Sequence, residues 1–279
     1  VKYQSIKREH VLSLRTLKRH EMDDLVSGIK EALLKTVDLL TTEFKLYSWD
    51  FLPYEAIVIM MCYIYYNKKS LTPEDVARLR KWFWTSSFSS RYRGASDSFI
   101  SNDLKSIEAY ILKETDVPGL FNNIPTVNEV KTMLFRSNNS RTRAYILLLA
   151  SLSPRNITNG IAIDIQNALS IFNKKQYHHI YPQAFLKGLG VHQNKINSIG
   201  NLCILAASEN NYVSDKNPNI YIPELIDKLG DEYEKVFSSN LLPILTSKEY
   251  EQLSFDKFID LRSNEICKHI NILCNGYTI

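Results

Sequence analysis

Two short runs of β-forming residues, Tyr177 to Tyr181 and Leu202 to Leu205, interrupt a chain whose other apolar residues recur mostly at helical spacing. This change of period is what most constrains the fold. The loop between the runs is polar and carries Gly188, Gly190 and Gly200, and the first run contains a His pair, His178 and His179. Asn210 and Asn211 follow the second run. One imidazole to activate water, beside neutral or anionic ligands that hold a hard cation on a phosphate, is the kit of a one-metal phosphodiester hydrolase.

The first half reads as helical. Leu25, Ile29, Leu33, Val37, Leu40 and Phe44 recur every three or four residues and predict a helix over about 23–44 with one apolar stripe. Pro53 can open a second helix, apolar almost all round and therefore central to the core. Thr72-Pro73-Glu74-Asp75 is an N-cap followed by an acidic first turn. Ser101-Asn102-Asp103 and Thr126-Val127-Asn128-Glu129 are further predicted helix starts, the latter with capping-box spacing. An apolar helix follows from Arg143 and stops before Ser153-Pro154. Ile161 to Ile165 alternates like a strand. Ser208 is placed to cap a helix bearing Asn210 and Asn211, and Phe255 to Leu273 is amphipathic. The expected organisation is a helical domain over 1–155 and a second domain over 156–279, an α+β arrangement that is mainly α with one small β element.

With 279 residues, 44% hydrophobic and 23% charged, the chain has the composition of a globular protein with ample core. The longest apolar run, Ala56 to Tyr66, is too short to span a bilayer, and no signal peptide is apparent, so a cytoplasmic location is expected. Four cysteines without CxxC pairing fit buried thiols in a reducing compartment. The first residue is Val, as expected of a fragment of a longer protein.

The net charge of +4 conceals an asymmetry. Between Val130 and Ser208 one acid, Asp164, stands against nine bases, and Val76 to Ser96 holds five bases and no acid. A positive middle bracketing the His pair suits a polyanion, since phosphate neutralisation dominates nucleic-acid affinity. Lys174, Lys175 and Lys187 beside the pair, with Arg91 and Arg93 flanking Tyr92, are the candidate nucleic-acid contacts. The competing reading of Trp82 to Arg93 is plain core, with the arginines binding helix C-terminal carbonyls.

His178-His179-Ile180-Tyr181-Pro182 resembles the (Asp/His)-His-Ile-x-Pro signature of HNH endonucleases, whose fold is the ββα-metal or His-Me finger. Gly200-Asn201-Leu202 resembles the segment around the central Asn, and Asn211 resembles the final metal-binding Asn or His. The resemblance implies His179 as general base, His178 and Asn211 as metal ligands, and Asn201 as a brace holding the His179 carbonyl and ring. Lys216 would contact the phosphate or the leaving oxygen. The implied cofactor is one divalent cation: Mg²⁺ or Mn²⁺, with Ni²⁺ or Zn²⁺ admitted by imidazole where many relatives carry Asp. Register alone does not decide between Asn210 and Asn211, and the spacing to Ser214 and Lys216 favours Asn211.

Leu52-Pro53-Tyr54-Glu55-Ala56, the stretch from Trp82 to Ser96, and Asn102-Asp103-Leu104 resemble the helical region preceding the nuclease in GmrSD-type, modification-dependent restriction proteins. The resemblance implies DNA as substrate in an anti-phage system, and a nucleotidase or sensor domain preceding this region. The motif of that domain, Asp-Gly-Gln-Gln-Arg, does not occur here. Two other readings stay open: a DNA-binding module that keeps the finger as scaffold without catalysis, and a structural zinc site, which lacks the usual cysteines. RNA as substrate, and assembly into an oligomer, are compatible with the same residues.

Overall fold

The computed structural model describes residues 8–170, 177–204, 213 and 215–279. Among these residues the fold is mainly helical with one two-stranded antiparallel sheet. The chain divides into two compact units. One draws on Val1–Phe44, Leu52–Ile124 and Ile272–Thr278, the other on Lys45–Phe51, Pro125–Asn271 and Ile279. The expected boundary near 155 falls inside the second unit, because the apolar helix just before it packs with the hairpin.

The first unit contains α1 (Arg19–Phe44), α2 (Glu55–Asn67), α3 (Pro73–Phe88) and α4 (Asp97–Leu112). The buried face of α1 is Ala32, Thr36, Leu39, Leu40 and Phe44, rotated from the predicted stripe; Ile29 and Leu33 are exposed. Size decides this rotation. Gly28 has no side chain where a Cβ would lie 2.7 Å from the Tyr66 ring of α2, so the small residues Gly28, Ala32 and Thr36 form the face on which α2 can approach. The capping box of α3 is present: Thr72 Oγ1 accepts from Asp75 N, and Asp75 accepts from Thr72 N. Asp75 is buried and pairs with Lys68 Nζ at 2.6 Å. Helix α4 starts five residues ahead of the predicted site, at an N-cap formed by Ser96, and this leaves Ser101 and Asp103 buried within it.

The second unit contains α5 (Val127–Thr132), α6 (Ser140–Ser151), β1 (Tyr177–His179), α7 (Gln183–Gly188), α8 (Gln193–Ile196), β2 (Leu202–Ile204), α9 (Pro218–Leu229) and all but the last turn of α10 (Phe255–Cys274). Thr126 and Glu129 form the predicted capping box of α5. The expected strand at Ile161 to Ile165 reduces to a single bridge between Arg155 and Ala162, after which Asp164 caps a short helix, Ile165–Ala168. The side chain of Asp164 accepts from Asn167 N and so serves that turn.

Strands β1 and β2 pair antiparallel, with Tyr177 opposite Ile204, His178 opposite Cys203 and His179 opposite Leu202. A hairpin of three-residue strands is marginal alone. Its support is Arg262 of α10, fully buried, which donates to Gly200 O (2.9 Å), Asn240 O (3.0 Å), Leu241 O (3.2 Å) and the Tyr145 hydroxyl (3.2 Å). Tyr145 of α6 in turn donates to Leu202 O at 2.8 Å. Burial pushes that phenol up to about 12 despite the nearby guanidinium, so it remains a neutral donor. Gly200 must be small: a Cβ there would sit 3.3 Å from Ile259 and 3.4 Å from Ser263, both on α10.

Replacing Arg262 with Ala would strand those acceptors in the core. The expected loss is about 3 kcal/mol or more in urea unfolding; a midpoint close to wild type would show that the hairpin does not lean on this side chain.

Candidate active site

His179 is the last residue of β1 and is half-buried. Its Nε2 lies 3.1 Å from Asn197 Oδ1 and 3.1 Å from Gln183 Nε2, and Gln183 Nε2 lies 3.2 Å from Asn197 Oδ1. Burial holds the imidazole below its ordinary value by disfavouring the charged ring. The hydrogen bond to Asn197 opposes that shift, and the charges of His178 and Lys187 add to it. The result is a ring biased towards the neutral, proton-accepting form.

His178 precedes it on the strand. Successive residues of a regular strand face opposite ways, and the chain bends at Ile180 directly after the pair.

Asn201 is fully buried in the turn leading into β2. Its Oδ1 accepts from Tyr181 N at 2.8 Å, and its Nδ2 donates to Tyr181 O and Ile196 O, each at 3.0 Å. Ile180 N donates to Asn201 O at 2.9 Å. The side chain thus clamps the residues leaving β1 and reaches the Tyr181 backbone rather than the His179 carbonyl named in the sequence reading. Register explains the difference: with His179 opposite Leu202, Asn201 stands beyond the pair. Beneath the turn, Tyr221 Oη donates to Ile180 O, and Tyr181 packs on Phe258 at 4.6 Å between ring centres.

Lys187 is exposed on α7, and its charge reaches the His179 ring. Lys216 is exposed ahead of α9 and Arg93 is exposed after α3. Arg91 is engaged elsewhere. Its Nε and Nη2 donate to Asp103 (2.7 and 2.5 Å) and its Nη1 to Gly119 O and Leu120 O (3.0 and 3.4 Å), while Tyr92 Oη also donates to Asp103. With Trp82, Phe83, Trp84 and Phe88 buried, Arg91 closes a core ion pair in place of the expected phosphate contact. Asn211 and the adjacent Asn210, together with Lys174 and Lys175, lie outside the described residues. His192 caps α8 through Nδ1, and His269 bonds Glu265 O.

The residues that sequence reasoning missed are Gln183 and Asn197. The available signal was positional: Gln183 follows Pro182 of the His motif, and Asn197 stands four residues before Asn201 in the same polar loop.

Among the described residues no group of three or more His, Cys, Asp or Glu could hold a metal ion. The expected donors, His178 and Asn211, are one imidazole and one carboxamide, neither of them anionic. Such a pair suits a divalent ion whose remaining positions are taken by water and phosphate, and does not suit a closed structural zinc centre. No helix among the described residues is long and apolar enough to cross a membrane.

The chain is similar to an uncharacterised protein of Methanocaldococcus jannaschii, with 24% identity over 252 residues that cover 80% of this chain and 41% of that protein. It therefore spans about two fifths of the length of the curated relative it matches. No family model matches the chain, and no solved structure matches it.

Asn201→Asp isolates the clamp. The carboxylate still accepts from Tyr181 N but faces the Tyr181 and Ile196 carbonyls without a hydrogen, and a loss of about 3 kcal/mol is expected at neutral pH. Unchanged stability in a denaturant titration would remove Asn201 from its bracing role.

Proposed function

We propose that this chain is an HNH-type, ββα-metal endonuclease hydrolysing DNA phosphodiester bonds, similar to the nuclease region of GmrSD-type restriction proteins. The observation that carries the reading is the hairpin itself. His179 ends one strand opposite the start of the other, burial lowers the affinity of its ring for a proton, and the buried Asn201 carboxamide clamps the turn behind it.

In this reading the His179 imidazole takes one proton from a water molecule. The water oxygen bonds to phosphorus, the bond from phosphorus to the leaving sugar oxygen breaks, and that oxygen gains a proton from solvent. The imidazolium then returns its proton to solvent. His178 and Asn211 would hold a divalent cation, whose chemistry is to neutralise charge on the phosphate oxygens. Lys216 would meet the phosphate or the leaving oxygen, and the exposed Lys187 and Arg93 would bind the backbone, joined in this reading by Lys174 and Lys175. Participation in anti-phage defence, with a sensor domain acting upstream, belongs to the same proposal.

The test is supercoiled plasmid incubated with Mg²⁺, Mn²⁺ or Ni²⁺. His179→Ala is expected to lower the cleavage rate by about 10²- to 10⁴-fold while leaving salt-sensitive DNA binding in place. Binding without cleavage by the wild type under every metal would leave a non-catalytic module instead. EDTA should abolish cleavage and added Mn²⁺ restore it.

The pH dependence has a definite sign. The base must be neutral, and burial holds its pKa below the ordinary 6.5. The rate should therefore be flat through neutrality and fall only on the acid side of that value. A base limb displaced above it would assign the proton transfer to another group.

A further inference from the structure

The His179 ring is touched by two carboxamides from the loop between the strands, Gln183 at the start of α7 and Asn197 at the end of α8. The three contacting atoms form a nearly equilateral triangle of 3.1, 3.1 and 3.2 Å. With the two carboxamides oriented as they are, two proton arrangements of the neutral ring suit it. In the first, His179 carries its hydrogen on Nε2 and donates to Asn197 Oδ1, which also accepts from Gln183. In the second, His179 carries its hydrogen on Nδ1, and Gln183 donates to the bare Nε2.

The first arrangement forms two hydrogen bonds, both to Asn197 Oδ1, and leaves one mismatch, the two donor nitrogens of His179 and Gln183 at 3.1 Å. A carboxamide oxygen has two acceptor positions, and each donor aims one hydrogen at it. The second sets the lone pairs of His179 Nε2 and Asn197 Oδ1 against each other at 3.1 Å with no hydrogen between them. Gln183 would then have to serve two acceptors about 60° apart, as the near-equal sides require, with hydrogens that diverge by about 120°.

Asn197 is also held in place. Its carbonyl accepts from Phe135 N at 2.9 Å, Ser198 Oγ donates to Lys131 O at 2.9 Å, and Ile199 N donates to Met133 O at 2.9 Å. The oxygen facing the ring therefore stands on a backbone pinned to the neighbouring segment.

We propose that Asn197 is the positioning residue that fixes His179 in the Nε2–H tautomer and so makes Nδ1 the proton-accepting atom, with Gln183 orienting the Asn197 oxygen. As a statement about catalysis this rests on the nuclease reading; as a statement about the ring it does not. Other partners of His179 would leave the tautomer to solvent, whereas one fixed acceptor opposite Nε2 selects it.

The experiment uses the full chain labelled with ¹⁵N at histidine, observed at about pH 8, where imidazole is ordinarily neutral. Long-range proton–nitrogen spectra distinguish the two tautomers, and His179→Gln identifies the signal. The wild type is expected as Nε2–H. Asn197→Ala should move the ring to Nδ1–H as Gln183 turns to donate to Nε2, whereas Asn197→Asp and Gln183→Ala should retain Nε2–H. An Nδ1–H wild type, or an Asn197→Ala spectrum like the wild type, would overturn the assignment. On DNA that the wild type cleaves, Asn197→Ala should lower kcat by about 10- to 100-fold with KM unchanged, and Asn197→Asp should recover most of it. An unchanged kcat with a shifted tautomer would confine Asn197 to ring geometry and overturn its catalytic part. If the wild type cut no DNA, the proposed function would fall while the spectra still decided the tautomer.

Discussion

A guanidinium with no exposure to water organises the second unit. Arg262 is a cation in an apolar core, a placement that is tolerated only when nearly every donor finds an oxygen. Those oxygens come from the turn before β2, from residues 240 and 241, and from the hydroxyl of Tyr145 on α6. The penalty for any missing partner is what makes this arrangement specific. Helix α10 cannot slide or rotate without unsealing the charge, and the turn that carries Asn201 cannot move without α10.

The precision around His179 is inherited from that scaffold. Three-residue strands offer too few ladder bonds to hold a side chain to a fraction of an ångström. Instead, the first strand leads into a backbone clamped by Asn201, the second begins on a carbonyl held by Tyr145, and the intervening loop is sewn to residues 131–135. The ring belongs to a strand, but its contacts come from the loop.

Where local chemistry determines local structure, the sequence was readable. The capping boxes at Thr72 and Thr126, the apolar α2 and α6, and the two β-runs follow from pattern alone. Errors arose where tertiary contact overrode the pattern. Hydrophobicity marked Ile29 and Leu33 for burial, yet the close approach of α2 selected the small residues of α1. Arg91 carried the same charge as any phosphate-binding arginine, and only the position of Asp103, twelve residues away in sequence, assigns it to the core. Arg262 had no local signal, since its acceptors, three carbonyls and the Tyr145 hydroxyl, lie at least 21 residues away in sequence. Asn201 was legible through its motif, whereas Asn197 and Gln183 looked like ordinary loop polarity.

Arg262 is translated 62 residues after the Gly200 carbonyl that it binds. A nascent chain that has exposed its histidines but not yet α10 therefore lacks the cation that seals the turn behind them. Assembly of the imidazole cradle waits for α10, so products truncated before Arg262 would carry the motif without the architecture that gives it order.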